Sequence, residues 1–181
     1  MIIRNASWIT MDGIPSTAVP VFRRAFSCGK VVRSAALEVT CDGVYEAVLN
    51  GRRVGSFILA PGWTEYRKRL QVQCYDVTDL LDGSNTLEIT VANGWYRRTN
   101  APWTGTQNPD EFLPAMLIAA LRLVYDDGSE ETILTDGSWE VSESSVTLSG
   151  IFIGEDVDMT RTLSYVPAVT CDYPKSMLIP Q

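Results

Sequence analysis

The chain has 181 residues, 45% hydrophobic and 20% charged, a balance of soluble globular domains that excludes disorder, coiled coil and collagen. Its 15 basic and 22 acidic side chains leave a net charge of −7, which repels phosphate backbones and argues against a nucleic-acid partner. Histidine is absent, which removes Ser-His-Asp triads, Cys-His pairs, HExxH zinc sites and histidine proton shuttles.

The length fits one domain of ~100–200 residues. The longest apolar stretch, residues 113–121, is broken by Pro114 and falls short of the ~20 residues of a membrane span. Residues 1–8 lack the basic, apolar and small-residue order of a signal peptide, so a reducing cytoplasm is the expected location. Cys28, Cys41, Cys74 and Cys171 form no CxxC pair and no zinc spacing, so four buried thiols are expected.

In chain order, residues 35–40 alternate Ala35, Leu37 and Val39 against Glu38 and Thr40, the period of a half-buried strand. Asp42-Gly43 turns into a strand over 44–49, which Asn50-Gly51 ends. Asn-Gly tolerates the positive φ angles of a type I′ turn, so Arg52-Arg53-Val54 should fold back as a hairpin. On backbone grounds Gly51→Val should be destabilising and Asn50→Gly nearly neutral. Leu70, Val72 and Cys74 mark a further strand, residues 76–81 a short capped turn, and Leu87, Ile89 and Val91 another strand.

From Arg97 to Glu111 the composition turns polar around Trp103, which reads as a long functional loop. Residues 116–125 suit a helix or a doubly buried strand. The Asp126-Asp127-Gly128 turn and the alternation over 131–135 favour a strand within a hairpin. Short strands continue at 139–141 and 148–152. This rhythm predicts an all-β sandwich or barrel over residues 1–165, with residues 166–181 as a Pro-rich linker.

Several ordered blocks carry a family resemblance. They are Gly43-Val44-Tyr45-Glu46-Ala47, Leu49-Asn50-Gly51-Arg52-Arg53-Val54-Gly55, Leu59-Ala60-Pro61-Gly62-Trp63-Thr64, Gln73-Cys74-Tyr75-Asp76-Val77-Thr78-Asp79 and Asn93-Gly94-Trp95-Tyr96-Arg97. Together they resemble the N-terminal domain of bacterial α-L-rhamnosidases. The resemblance implies a jelly-roll β-sandwich, like those of galactose-binding and carbohydrate-binding modules. It also implies a separate (α/α)₆ barrel, elsewhere in a longer chain, that hydrolyses terminal α-L-rhamnose with inversion. The chain is then expected to be a non-catalytic accessory domain, architectural and a contributor to recognition of rhamnose-containing glycosides. A free-standing carbohydrate-binding module and a structural or dimerisation domain are the alternatives.

Sugars stack on aromatic rings and need polar partners at the rim, which marks Trp63, Tyr66, Trp95, Tyr96, Trp103, Asn93 and Glu155 as candidate binding residues. For Trp63 and Trp95, each following a glycine, packing at the sandwich ends is the favoured role. Glycoside hydrolysis needs two carboxyls, ~6.5–9.5 Å apart in inverting enzymes. The cluster Glu155, Asp156 and Asp158 reads as a solvated face, so no catalytic residue is expected. The resemblance also raises a calcium ion as ligand, but Asn93 and Ile153 stand where relatives often carry Asp, so no cofactor is expected. The basic residues at 52–53, 67–69 and 97–98 read as guards of sheet edges.

Overall fold

In the computed structural model, which describes residues 1–15, 17–66, 68–96 and 114–181, the alternating segments form strands. The chain opens with β1 (Trp8–Thr10), β2 (Pro20–Ser27), β3 (Val32–Cys41), β4 (Val44–Leu49) and β5 (Arg52–Arg53). Next come β6 (Leu70–Asp76), β7 (Ser84–Ala92), β8 (Leu117–Tyr125), β9 (Glu130–Leu134) and β10 (Glu140–Glu143). The last are β11 (Val146–Gly150), β12 (Gly154–Val157), β13 (Val166–Pro167), β14 (Val169–Cys171) and β15 (Leu178–Pro180).

Among the described residues, one sheet has seven strands in the order β14-β1-β8-β3-β6-β15, with β9 also on β8. A second has six, β13-β10-β2-β7-β4-β5, and β11 with β12 forms a separate hairpin. The two large sheets make a β-sandwich of jelly-roll type. Its core joins Leu37, Val39 and Leu121 of the first sheet to Phe22, Leu49 and Ile89 of the second.

Alternation explains why β8 is apolar almost throughout. Leu117, Ala119, Leu121 and Leu123 enter the core between the sheets. Ile118 and Ala120 enter a second cluster with Ile3, Trp8, Tyr173 and Leu178, which covers the outer face. A strand buried on both faces cannot show period two.

The Asn50-Gly51 turn is as the sequence predicts. Asn50 and Gly51 have φ of 53° and 73°, and Leu49 pairs with Arg52 across them. Residues 166–180 differ from the expected linker. β13 pairs with β10, β14 with β1, and β15 lies parallel to β6. Pro167 and Pro180 sit on outer strands, where a missing N–H breaks no ladder, so the prolines mark edges rather than a spacer. Arg4 fastens the segment by donating to the carbonyls of Lys175 and Leu178 at 2.9 and 2.7 Å.

All four cysteines remain thiols. Cys41 is buried and Cys28 and Cys171 half-buried, but Cys74 is exposed, against expectation. Partial burial, with Glu38 and Asp76 beside it, raises the Cys74 pKa; burial pushes that of Cys171 up to about 11. Thiol titration in denaturant without reductant should count four. In the native protein Cys74 should be alkylated first, at a rate that climbs with pH above the ordinary thiol range. A denatured count of two would show a disulfide instead.

Candidate functional site

The aromatic candidates divide by burial. Tyr66 and Tyr96 are buried, with their rings edge to face at 4.9 Å. The Tyr96 hydroxyl bonds to that of Tyr173, and the Tyr66 hydroxyl donates to the Gly62 carbonyl at 3.4 Å. Trp95 is half-buried against the same cluster. These rings pack the outer face of the seven-stranded sheet, and the buried tyrosines present no face to a sugar. Trp63 departs from the packing role expected of it, being 66% exposed, because its loop turns the ring away from both clusters. Trp103 lies outside the described residues.

Asn93 and Glu155 come close to one another through the β11–β12 hairpin. Asn93 is buried, and its Nδ2 donates to the Ser149 carbonyl at 3.4 Å. Among the described residues no donor reaches its Oδ1. Ser149 is the cross-strand partner of Glu155, which lines a cleft of about 340 Å³. The floor of that cleft is the outer face of the six-stranded sheet. Tyr45, Ala47, Ile89 and Val91 point into the core, so their neighbours Glu46, Val48, Thr90 and Ala92 point outward into the cleft.

Sequence reasoning missed Glu46, Arg53 and Thr90. Glu46 stands opposite Thr90 in the β4–β7 register. Arg53 Nε meets a Glu46 carboxylate oxygen at 3.4 Å, and its Nη2 donates to the Phe57 carbonyl at 3.3 Å. The signal was present in the alternation, because the outward set of a strand whose inward set is apolar is the set free to meet a ligand. Two glycines set the approach of β4 to Asn93. A Cβ on Gly43 would lie 2.0 Å from the Ala92 carbonyl oxygen, and one on Gly94 would lie 2.7 Å from a Val44 methyl.

Among the described residues, the exposed carboxyls lack the burial that a hydrolytic acid needs. A general acid needs a carboxyl withdrawn from water, so that its pKa rises. Glu46 and Glu155 are both exposed, and Glu46 pairs with Arg53 at 3.4 Å. Asp76, Asp127, Glu130 and Asp158 are held below the ordinary carboxylate range by hydrogen bonds from Thr78, Lys30, Arg122 and Thr160 respectively. A depressed folded pKa contributes stability that is present above the unfolded value of ~4 and is lost as pH falls through the folded value. The melting temperature should therefore drop as the pH falls below ~4. Asp127→Asn with Asp158→Asn should flatten that limb, and an unchanged acid limb would contradict the assignment.

Calcium takes about six to eight oxygens, with carboxylates prominent among them. Among the described residues no three Asp, Glu, Cys or His side chains gather as ligands would. The unpartnered oxygen of Asn93 is one amide acceptor, so these residues do not fit a calcium site. The basic pair Arg52 and Arg53 forms the outermost strand of the six-stranded sheet, where charge discourages edge pairing.

Residues 30–174 match the profile of a family described as alpha-L-rhamnosidase N-terminal domain. An α-L-rhamnosidase of Streptomyces avermitilis is 43% identical over 135 residues, 73% of this chain and 13% of that protein. The crystal structure of an Aspergillus terreus rhamnosidase superposes with a TM-score of 0.85 and 30% identity, over 97% of this chain and 22% of its own. A Streptomyces avermitilis rhamnosidase complexed with L-rhamnose gives 0.75 and 34%, over 86% and 16%. The chain spans only 13–18% of the length of the curated relatives it matches. On the profile match and these likenesses, the chain belongs to the α-L-rhamnosidase N-terminal domain family.

Proposed function

We propose that this chain is the non-catalytic accessory β-sandwich of an α-L-rhamnosidase, and that hydrolysis belongs to a separate (α/α)₆ domain of the same polypeptide. The observation that carries this reading is the family match over 30–174 in a chain that is a small fraction of its relatives. The 181-residue chain should give no turnover of an aryl α-L-rhamnoside, whereas the complete polypeptide should. Turnover by the short chain that Glu155→Gln abolishes would overturn the reading.

The cleft beside Glu155 is the place where this domain would meet a rhamnoside. Its volume lies in the range of small-ligand sites, ~300–1,000 Å³. It sets Glu46, Arg53, Thr90 and Glu155 over an apolar floor of Val48 and Ala92, the mixture that hydroxyls and C–H faces require. One relative has been crystallised with L-rhamnose. Calorimetric titration with L-rhamnose, with and without calcium, should give saturable binding that Glu155→Ala weakens at least several-fold. Absence of binding in both buffers would remove the recognition role and leave the accessory role standing.

A further inference from the structure

The loop between β5 and β6 exposes apolar side chains that the sandwich does not use. Phe57, Ile58 and Trp63 are 41%, 62% and 66% exposed, while Leu59, 42% exposed, lines the Glu155 cleft. Single exposed apolar residues are ordinary, but several within one short segment mark an interaction surface.

The loop is fixed rather than slack. The Tyr45 N–H donates to the Ala60 carbonyl at 2.7 Å, and Ala60 itself is buried. Gln73 Nε2 donates to the Pro61 carbonyl at 3.3 Å, and Gly62 N–H to that of Leu59 at 2.9 Å. Leu59 has φ of 59°, a region that a residue with a branched side chain occupies only when its surroundings impose it. A Cβ on Gly62 would touch the Phe57 ring at 3.4 Å, so Phe57 lies over the backbone that leads into Trp63. The fold thus spends anchoring bonds and backbone strain to hold apolar groups in water.

The length of the relatives points to the occupant of this loop. Gln73 donates from the same Nε2 to the side-chain carbonyl of Gln181, so residues 178–181 run beside the loop. In the relatives, the matched domain is about one fifth or less of a longer chain. The geometry points to this loop as the docking surface for the remaining part of the rhamnosidase polypeptide, an inference that rests on the accessory-domain reading above.

Hydroxyl-radical footprinting of the 181-residue chain and of the complete polypeptide tests it without a mutation. Trp63 and Phe57 should be oxidised several-fold more slowly in the complete polypeptide, while Met159, 86% exposed, should react alike in both. Equal rates at Trp63 and Phe57 in an active complete enzyme would overturn the docking surface and leave the accessory role intact. If the native polypeptide lacks rhamnosidase activity, the accessory role itself fails. Protection that depends on concentration in the short chain, with a dimeric mass, would assign the loop to a second copy and overturn the proposal. As a second readout, Phe57→Ser with Ile58→Ser should leave the melting of the short chain unchanged and uncouple unfolding of the complete enzyme into two transitions. Retention of one cooperative transition would count against docking at this loop.

Discussion

Gly43→Ala should lower the melting temperature by about 6–12 °C, the effect of roughly 3 kcal/mol on a domain of this size. The added Cβ would stand 2.0 Å from the Ala92 carbonyl oxygen, 3.2 Å from its carbon and 3.3 Å from the Asn93 carbonyl oxygen. All three are backbone atoms, so no side chain can rotate away to make room. They also belong to the point where the β4–β7 ladder begins, at the pairing of Val44 with Ala92. Relief would require that pairing to shift, and with it the floor of the Glu155 cleft. Gly83→Ala is the matched control, since nothing lies within 4 Å of its Cβ position and its φ is not in the left-handed region. Its melting should stay close to the parent, within the effect of ~0.5–1 kcal/mol. Equal melting of the two variants would show that the close approach at Gly43 relaxes freely.

Local patterns made much of the sandwich legible. Period-two alternation located β3, β4, β6 and β7, because each has one face in the core and one toward polar surroundings. The run 116–125 was resolved as a strand by its turn chemistry, although both its faces are covered. Segments whose state depends on distant partners were not legible. β2 carries Arg23 and Arg24 in the middle of the six-stranded sheet, where Arg23 lies over the Tyr165 ring at 3.5 Å and bonds to Glu140 at 2.8 Å. Only the return of β10 and the residues after it supplies those partners. The last sixteen residues looked like a spacer for the same reason, since their burial is against Trp8 and β6.

Two of the residues singled out in the sequence stand at or beside the candidate cleft. Glu155 stands on the cleft, and Asn93 reaches the same hairpin. The sequence favours packing for Trp63 and leaves Tyr66 and Tyr96 as binding candidates, the reverse of their burial, because an aromatic in a loop reads alike whether its ring turns inward or outward. What separates them is the second cluster, which exists only once both chain ends fold onto β8. Glu46 escaped notice because it belongs to a strand whose apolar set drew the reading, and Arg53 because it reads as the guard of a sheet edge.

Asn50→Gly should lower the melting temperature by about 4–8 °C, the effect of roughly 2 kcal/mol, where backbone reasoning alone expects almost none. Glycine accepts the φ of 53° at this position without strain, and that gain is retained in the variant. The side chain is where the loss falls. Asn50 Nδ2 donates to the Leu80 carbonyl at 2.9 Å and to Asn85 Oδ1 at 2.7 Å, and its Oδ1 accepts the Thr86 N–H at 2.9 Å. Asn85 is itself buried and bonds to the Asp82 carbonyl at 2.8 Å, so the turn is sewn to the whole segment that enters β7. Removing the amide strands the Leu80 carbonyl and the Thr86 N–H, each worth ~1 kcal/mol net, while Asn85 Oδ1 keeps the Asp82 N–H at 2.8 Å. Gly51→Val tests the backbone alone, because nothing lies within 4 Å of its Cβ position and only the φ of 73° opposes a side chain. That variant should cost ~1–2 kcal/mol. A double-mutant cycle of Asn50→Gly with Asn85→Ala should give a coupling energy near ~1 kcal/mol, as neighbours in one network do. Melting of Asn50→Gly within a degree of the parent, or strict additivity in the cycle, would show that the turn owes its place to backbone geometry only.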